Sequence, residues 1–195
     1  MTTHIPPLVI GITGTRGAGK DTFFRLLQTF DYRFERYAFA DRLKKDMAPV
    51  IRQHLAFDPD NLTAEQKEIV RHLWIGWGMT MRAYDPLHWV KTVVEDINRC
   101  WQSSREPFIP CITDARFVNE VECLRQNYGS TFVLIDLKRK GAPPPTDEEE
   151  KHFRQVSSMA DYCVTWGNDD EEGQRKHVRD FLEHCGLLYG QKIAA

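Results

Sequence analysis

Short apolar runs alternate with helical stripes along the chain. LVIGIT (8–13) is a β-rich apolar run and predicts a strand. Residues 20–29 predict a helix with Phe23, Phe24, Leu26 and Leu27 mostly on one side. RYAFA (36–40) reads as a second short strand. Asp41 then stands as an N-cap before RLKKDMAPVIRQHL, an amphipathic helix that Pro49 is expected to kink. FDPDN (57–61) is a turn. Thr63 and Gln66 have capping-box spacing and open a helix into VRHLWIGW. Asp85-Pro86 repeats the start signal, cap then proline, ahead of a long helix to about Cys100. FIPCIT (108–113) is strand-like despite Pro110. FVNEVECLRQNY (117–128) is helical and stops before Gly129; TFVLIDL (131–137) is a clear strand. KGAPPPTDEEEK (140–151) cannot form core and reads as a solvated loop. YCVTW is a closing strand, followed by a helix from about Asp169 to Cys185. Strands alternating with helices predict parallel βαβ units with right-handed crossovers. The expected fold is a three-layer α/β/α sandwich with a mainly parallel five-stranded sheet.

The length of 195 residues predicts one domain over 1–195. A formal net charge of -2 gives no bulk attraction to nucleic acid or membrane. The five cysteines are scattered and lack C-x-x-C spacing, which argues for reduced thiols rather than zinc or disulfides. No segment approaches the roughly 18 apolar residues of a membrane span, and MTTHIPPLVI lacks the pattern of a signal peptide. The expectation is a cytoplasmic protein.

Chemistry enters at GTRGAGK, Gly14 to Lys20, which has the spacing G-x-x-x-x-G-K. A predicted strand precedes it and a predicted helix follows. Glycines at this spacing let successive N–H groups of Gly14, Thr15, Arg16, Gly17, Ala18 and Gly19 turn inward. The helix N-terminus adds partial positive charge, so a polyphosphate is held without a clash. Lys20 would bridge the β- and γ-phosphates. The next residue is Asp21, where Ser or Thr is usual. Beside phosphates a carboxylate is repulsive unless a cation intervenes, so Asp21 either meets magnesium, directly or through water, or only favours the helix N-terminus. Thr22 keeps a hydroxyl near the α-phosphate.

A second constellation is TDARFVNEVE. Asp114 ends a predicted strand, where open α/β sheets put their ligands and where a P-loop protein places a second magnesium contact. Arg116 could grip phosphate through its planar fork. The bland alternatives are that Asp114 caps the 117–128 helix and Arg116 pairs with Glu120. Arg42, Lys44 and Lys45 form a basic cluster after a strand that could receive an anionic substrate. Lys91 lies on a helix with Trp89, Val90, Val93 and Val94, either as substrate contact or solvated face. Trp74, Trp77 and Trp89 offer either a base-stacking wall or core. Arg139 and Arg154 flank the Pro-rich segment as candidates for a mobile lid.

GTRGAGKDT, DRLKK, DPLHWVK, TDARFVNEVE, DLKRKG and ADYCVTWGNDD occur in the order found in bacteriophage deoxynucleoside monophosphate kinases, and the chain resembles that family over most of its length. Arg42 stands where the family often has proline, and Lys140 replaces proline after Arg139. The resemblance implies a P-loop nucleoside monophosphate kinase-like fold and transfer of a phosphoryl group from ATP to a dNMP. It assigns Lys20, Asp21 and Thr22 to phosphate and magnesium, with Asp21 and Asp114 as metal contacts. Asp114 and Arg116 go to the catalytic centre, and Arg116 also to substrate. Lys91 goes to substrate handling, Arg139 to the lid and Asn168 to the loop beside adenine. It implies a substrate-binding helical region over about 41–104, a lid over about 138–160, and a homodimer. Animal phosphomevalonate kinases look similar at the GKD and D-x-R elements. A dephospho-coenzyme A type of kinase is a further alternative. A regulatory P-loop switch is a third, although no N-K-x-D base reader is present.

A nucleoside monophosphate already carries nearly two negative charges at pH 7. Its oxygen needs no general base; the demand is for cations that align two polyanions. Arg16, Lys20, Arg42, Arg116 and Arg139 fit that demand, and no Ser-His-Asp set is evident.

Overall fold

A computed structural model describes residues 8–142, 144, 147–167 and 170–188. Five strands, β1 (Val9–Thr13), β2 (Phe34–Tyr37), β3 (Ile109–Ile112), β4 (Phe132–Arg139) and β5 (Tyr162–Trp166), form one parallel sheet. Their order is β2-β3-β1-β4-β5, so β1 lies at the centre. The helices are α1 (Lys20–Leu27), α2 (Phe39–Leu55), α3 (Ala64–Tyr84), α4 (His88–Ser103), α5 (Val118–Tyr128), α6 (Asp147–Ser157) and α7 (Glu171–His184).

Alternation along the buried strands sends side chains to two separate cores. Ile10, Ile12, Ile135 and Leu137 pack with Phe23 and Leu27 of α1 and with Val178 and Phe181 of α7. Val9, Phe132 and Leu134 pack instead with Trp89 and Val93 of α4, Leu124 of α5 and Val156 of α6. A third, small cluster of Ile51, Leu62 and Val70 holds α2 and α3 together as a helical unit beside the sheet. The expected three layers are present.

Several local expectations are corrected. α2 starts at Phe39, with Ala38 in the N-cap position, so Asp41 lies in the first turn and is not the cap. The cap is supplied from far along the chain: Asp114 accepts from the N–H groups of Phe39 (2.9 Å) and Ala40 (3.0 Å). With its first turn held from outside, the helix takes over part of the segment expected to be strand. As expected, the helix continues through Pro49 to Leu55. Asp85 does not cap α4 but follows the end of α3, and its carboxylate accepts from Leu87 N at 2.9 Å. The capping box at Thr63 and Gln66 is present, with both bonds made. Part of the expected acidic loop is helical, since α6 begins at Asp147.

Pro110 lies inside β3, between β2 and β1, where a proline is not expected. The amides of Ile109 and Thr113 donate to Arg33 and Tyr37, on the β2 side. The missing N–H at Pro110 therefore faces β1, and the register with β1 begins only at Cys111. None of the described helices is long and apolar enough to cross a membrane.

Candidate active site

β1 ends at Thr13 and the chain enters the glycine loop at the C-terminal edge of the central strand. Gly14, Gly17 and Gly19 have φ of 146°, 79° and 88°, a region that side chains disfavour. Gly14 is also crowded: a Cβ there would lie 2.5 Å from the Leu137 carbonyl oxygen on β4. At Gly19 a Cβ would lie 2.6 Å from the Trp166 ring. Trp166, 2% exposed at the end of β5, donates its indole N–H to the Ala18 carbonyl at 2.7 Å. The loop is thus shaped from beneath by β4 and β5. Gly19 takes the N-cap position of α1, so the first amides of that helix point towards the loop.

Lys20 opens α1 and turns back over the loop, with Nζ donating to the carbonyls of Gly14 (2.6 Å) and Thr15 (2.9 Å). Burial, and then the Arg116 charge, lower its pKa; Asp21, Asp114 and Asp136 act in the opposite sense. Lys20 and Asp21 therefore fall in one electrostatic cluster with Asp114 and Arg116, far along the chain. Arg16, Asp21 and Arg116 are exposed, and the Thr22 hydroxyl accepts from Arg25 at 3.3 Å.

Asp114 follows β3 at the same edge of the sheet. Burial raises its pKa, against the lowering by the two α2 amides and Arg116. The helix it caps is α2, not the 117–128 helix. α5 is served by Glu120, which accepts from Phe117 N at 3.1 Å and Arg116 N at 2.9 Å. The alternative reading, in which the Arg116 side chain pairs with Glu120, is not what the structure has: the bond runs from the Arg116 backbone N–H. Glu120 is 3% exposed, its other oxygen accepts from Arg82 at 3.3 Å, and burial pushes its pKa up to about 7.

The acceptor-side candidates are more scattered. Arg42 is held by Asp46 (3.0 Å) and Asp96 (3.2 Å). Lys44 lies over the Trp74 ring, 5.5 Å from its centre. Lys91 donates to Asp85 at 2.7 Å rather than reaching the Asp114 cluster. Trp89 offers no ring face for stacking: it is 2% exposed in the core, with its N–H on the Gly78 carbonyl at 3.3 Å. Arg139 ends β4 and is exposed, while Arg154 pairs with Glu150 on its own helix. Asn168 lies outside the described residues.

Residues that the sequence reading passed over support the site. Trp166 is one. Asp136, 1% exposed on β4 and in register with Thr13, is another; it accepts from Ser157 of α6 and pairs with Lys138 at 3.2 Å. α6 is further seated by Val156 in the core and by His152 edge-on to Phe117. Among the described residues no group of three or more His, Cys, Asp or Glu side chains is placed to hold a metal ion by itself. Magnesium at a phosphate site takes one or two carboxylates and fills its shell with water and phosphate oxygens. Asp21 is exposed, and each Asp114 oxygen keeps a lone pair beyond its amide bond, so the donors present fit such an ion.

The fold recurs in solved structures of other proteins. A shikimate kinase from Aquifex aeolicus superposes with a TM-score of 0.52 at 18% identity, covering 92% of this chain and 99% of that one. A dephospho-CoA kinase from Campylobacter jejuni gives 0.51 at 11% identity, with 90% and 96% covered. The fold is that of the P-loop kinases. A tunicamycin resistance protein from Deinococcus radiodurans shares it too, at 0.50 and 12% identity over 92% and 96% of the two chains. No family model matches the sequence, and no curated protein sequence does. Within the P-loop kinase fold, the Gly14–Lys20 loop and Asp114 stand at neighbouring strand ends, where this architecture places its ligands.

Proposed function

We propose that this protein is an ATP-dependent kinase that passes a phosphoryl group to a deoxynucleoside monophosphate, giving ADP and a dNDP. One observation carries the reading: a glycine loop too tight at Gly14 and Gly19 for a Cβ unless a neighbour shifts lies beneath Lys20, which shares one charge cluster with Asp114 and Arg116. Choice of a deoxynucleotide rests on the resemblance of the GKDT, WVK and D-x-R-x-x-N-E segments to the phage kinases.

The loop amides from Thr15 to Gly19 and the α1 N-terminus hold the donor's phosphates. Lys20 exchanges its carbonyl partners for phosphate oxygens, and its α1 anchorage keeps the ammonium at the transferring group. Arg116, and Arg139 from the end of β4, meet the negative charge of the acceptor, which needs no base. Asp21 and Asp114 would hold magnesium, which when bound supplies charge neutralisation between the two polyanions. Arg42, Lys44 and Trp74, on the α2–α3 unit, belong to the acceptor side. The segment from 138 to 160 serves as the lid, and α6 within it is its fixed part, seated in the core through Val156. The same resemblance supports a homodimer, and the scattered cysteines without disulfide or zinc spacing support a cytoplasmic setting.

The second reading is a kinase of dephospho-coenzyme A or another small phosphate acceptor, favoured by the shared fold of the Campylobacter jejuni enzyme. ADP formation from ATP and magnesium, with each common dNMP, dephospho-coenzyme A and phosphomevalonate supplied in turn, separates them. Turnover with a dNMP supports the first reading; turnover only with another acceptor replaces it.

A further inference from the structure

Two consecutive residues of α5 reach the same corner of the chain. Asn119 donates its side-chain amide to the Pro86 carbonyl at 2.8 Å, and Glu120 accepts from Arg82 at 3.3 Å. Arg82 lies in the last turn of α3 and Pro86 in the short connection from α3 to α4. The second oxygen of Glu120 takes the amides of Arg116 and Phe117. Arg82 is fixed a second way, its guanidinium lying 4.7 Å from the centre of the Phe117 ring. A carboxylate this buried persists only with such partners, and here they come from two different parts of the fold. The same corner carries Asp85, which holds Lys91.

We propose that Asn119 and Glu120 form a clamp that positions the α3–α4 corner against the Arg116 loop, so that the seating of the acceptor-side helices sets where Arg116 stands. The proposal rests on the phosphoryl-transfer reading above. Glu120 and Arg82 are positioning residues: they act through the loop that presents Arg116. The glycine loop is shaped by β4 and Trp166, and among the described residues no hydrogen bond joins it to Asn119, Glu120 or Arg82. Loosening the clamp therefore disturbs the acceptor side and spares the grip on ATP.

The test is a double-mutant cycle of Arg82→Gln and Glu120→Gln in the full chain, read in two ways. In steady-state turnover each single variant raises the acceptor KM or lowers kcat by about tenfold, while the KM for ATP stays within about twofold. The double variant is no worse than the worse single one, because both break the same tie. In amide NMR spectra, Arg82→Gln moves the Arg116 signal in the wild-type background but not in the Glu120→Gln background; the Phe117 signal is left out because its ring touches Arg82 directly. The clamp is overturned by an unmoved Arg116 signal, by multiplying losses, or by an ATP KM that rises as much as the acceptor's. If Glu120→Gln fails to fold, Arg82→Gln, at the more exposed end of the pair, decides alone. A wild-type chain that transfers nothing to any acceptor sinks the kinase reading, and the amide cycle still decides whether the corner and the loop are tied.

Discussion

The Trp166 indole donates to the Ala18 carbonyl at 2.7 Å while its ring lies against Gly19, so one side chain at the end of β5 both bonds and shapes the phosphate loop. Replacing the ring by Phe keeps much of the apolar contact and removes the donor. The Ala18 carbonyl is then left buried without that partner, at a cost of about 1–3 kcal/mol. Trp166→Phe should lower stability in urea by this order and weaken binding of an ATP analogue. Unchanged affinity in calorimetry would show that the loop keeps its shape without the indole.

Gly19→Ala should be worse for binding than for folding. The added methyl meets the Trp166 ring at 2.6 Å, and the residue must hold φ at 88°. Either the ring or the loop must give way, and strain of this kind costs about 1–3 kcal/mol. The expected outcome is a folded protein whose affinity for an ATP analogue falls at least tenfold, roughly the equivalent of 1.4 kcal/mol. Wild-type affinity would contradict the crowded-loop account.

Lys20→Ala should abolish phosphoryl transfer and leave the fold intact. Lys20 is desolvated and beside the Arg116 charge, so its removal relieves a cost as well as losing two bonds to loop carbonyls. A loss of at least about 10²–10³-fold in kcat is expected, as for other groups that stabilise transition-state charge. A matching thermal melt separates this from unfolding. Near-normal turnover would count heavily against the kinase reading.

These predictions draw on two kinds of sequence signal. The shape of the loop Gly14–Lys20 was legible because it is contiguous: strand, glycines, lysine and helix occupy one stretch, and each residue type has a local steric reason. The parallel sheet was legible from apolar runs spaced by helices. The roles of Asp114 and Glu120 were only partly so. Asp114 caps a helix that begins 75 positions earlier, and no local pattern announces such a partner. Because that cap comes from outside, Phe39 and Ala40 entered α2 rather than the strand they resemble. Trp89 and Trp166 have the same composition signal, yet one is core and the other supports the loop; only the neighbours across the sheet tell them apart. Lys91 and Asp85 are six positions apart on opposite sides of a helix start, and their pairing depended on where that helix began.

Glu120 should give the protein a pH-dependent stability. Burial raises its pKa from the ordinary 4.5 to about 7, with the Asp114 charge acting in the same sense and Arg82 and the Arg116 and Phe117 amides acting against it. A carboxyl group whose pKa is higher in the folded state binds a proton more tightly there. Its contribution is therefore fully present below about pH 4.5 and is lost as the pH rises through about 7. Urea melts of the wild type across that window should show this component, superposed on the other titrations. Glu120→Gln, which stays uncharged throughout, should flatten it. A difference between the two curves that does not vary with pH would mean that Glu120 titrates at its ordinary value.

Trp89 and Trp74 make opposite predictions, although both were candidates for stacking a nucleobase. Trp89 is sealed in the core, and its N–H ties α4 to Gly78 on α3. Trp74 is half-buried on α3, beneath the Lys44 ammonium, and faces the small cluster of Ile51, Leu62 and Val70. Truncating Trp89 to Ala should cost about 3–5 kcal/mol of stability, as for other large buried aromatics. The effect on activity should follow the fraction folded. Trp74→Ala should cost less stability and should raise the acceptor KM while leaving the KM for ATP alone, if the α2–α3 unit receives the acceptor. Chemical melts of both variants, with KM measured separately for each substrate at a temperature where both are folded, check the contrast. An acceptor KM unmoved in Trp74→Ala would remove the α2–α3 unit from the acceptor site and turn attention to the exposed side chains of Arg116 and Arg139.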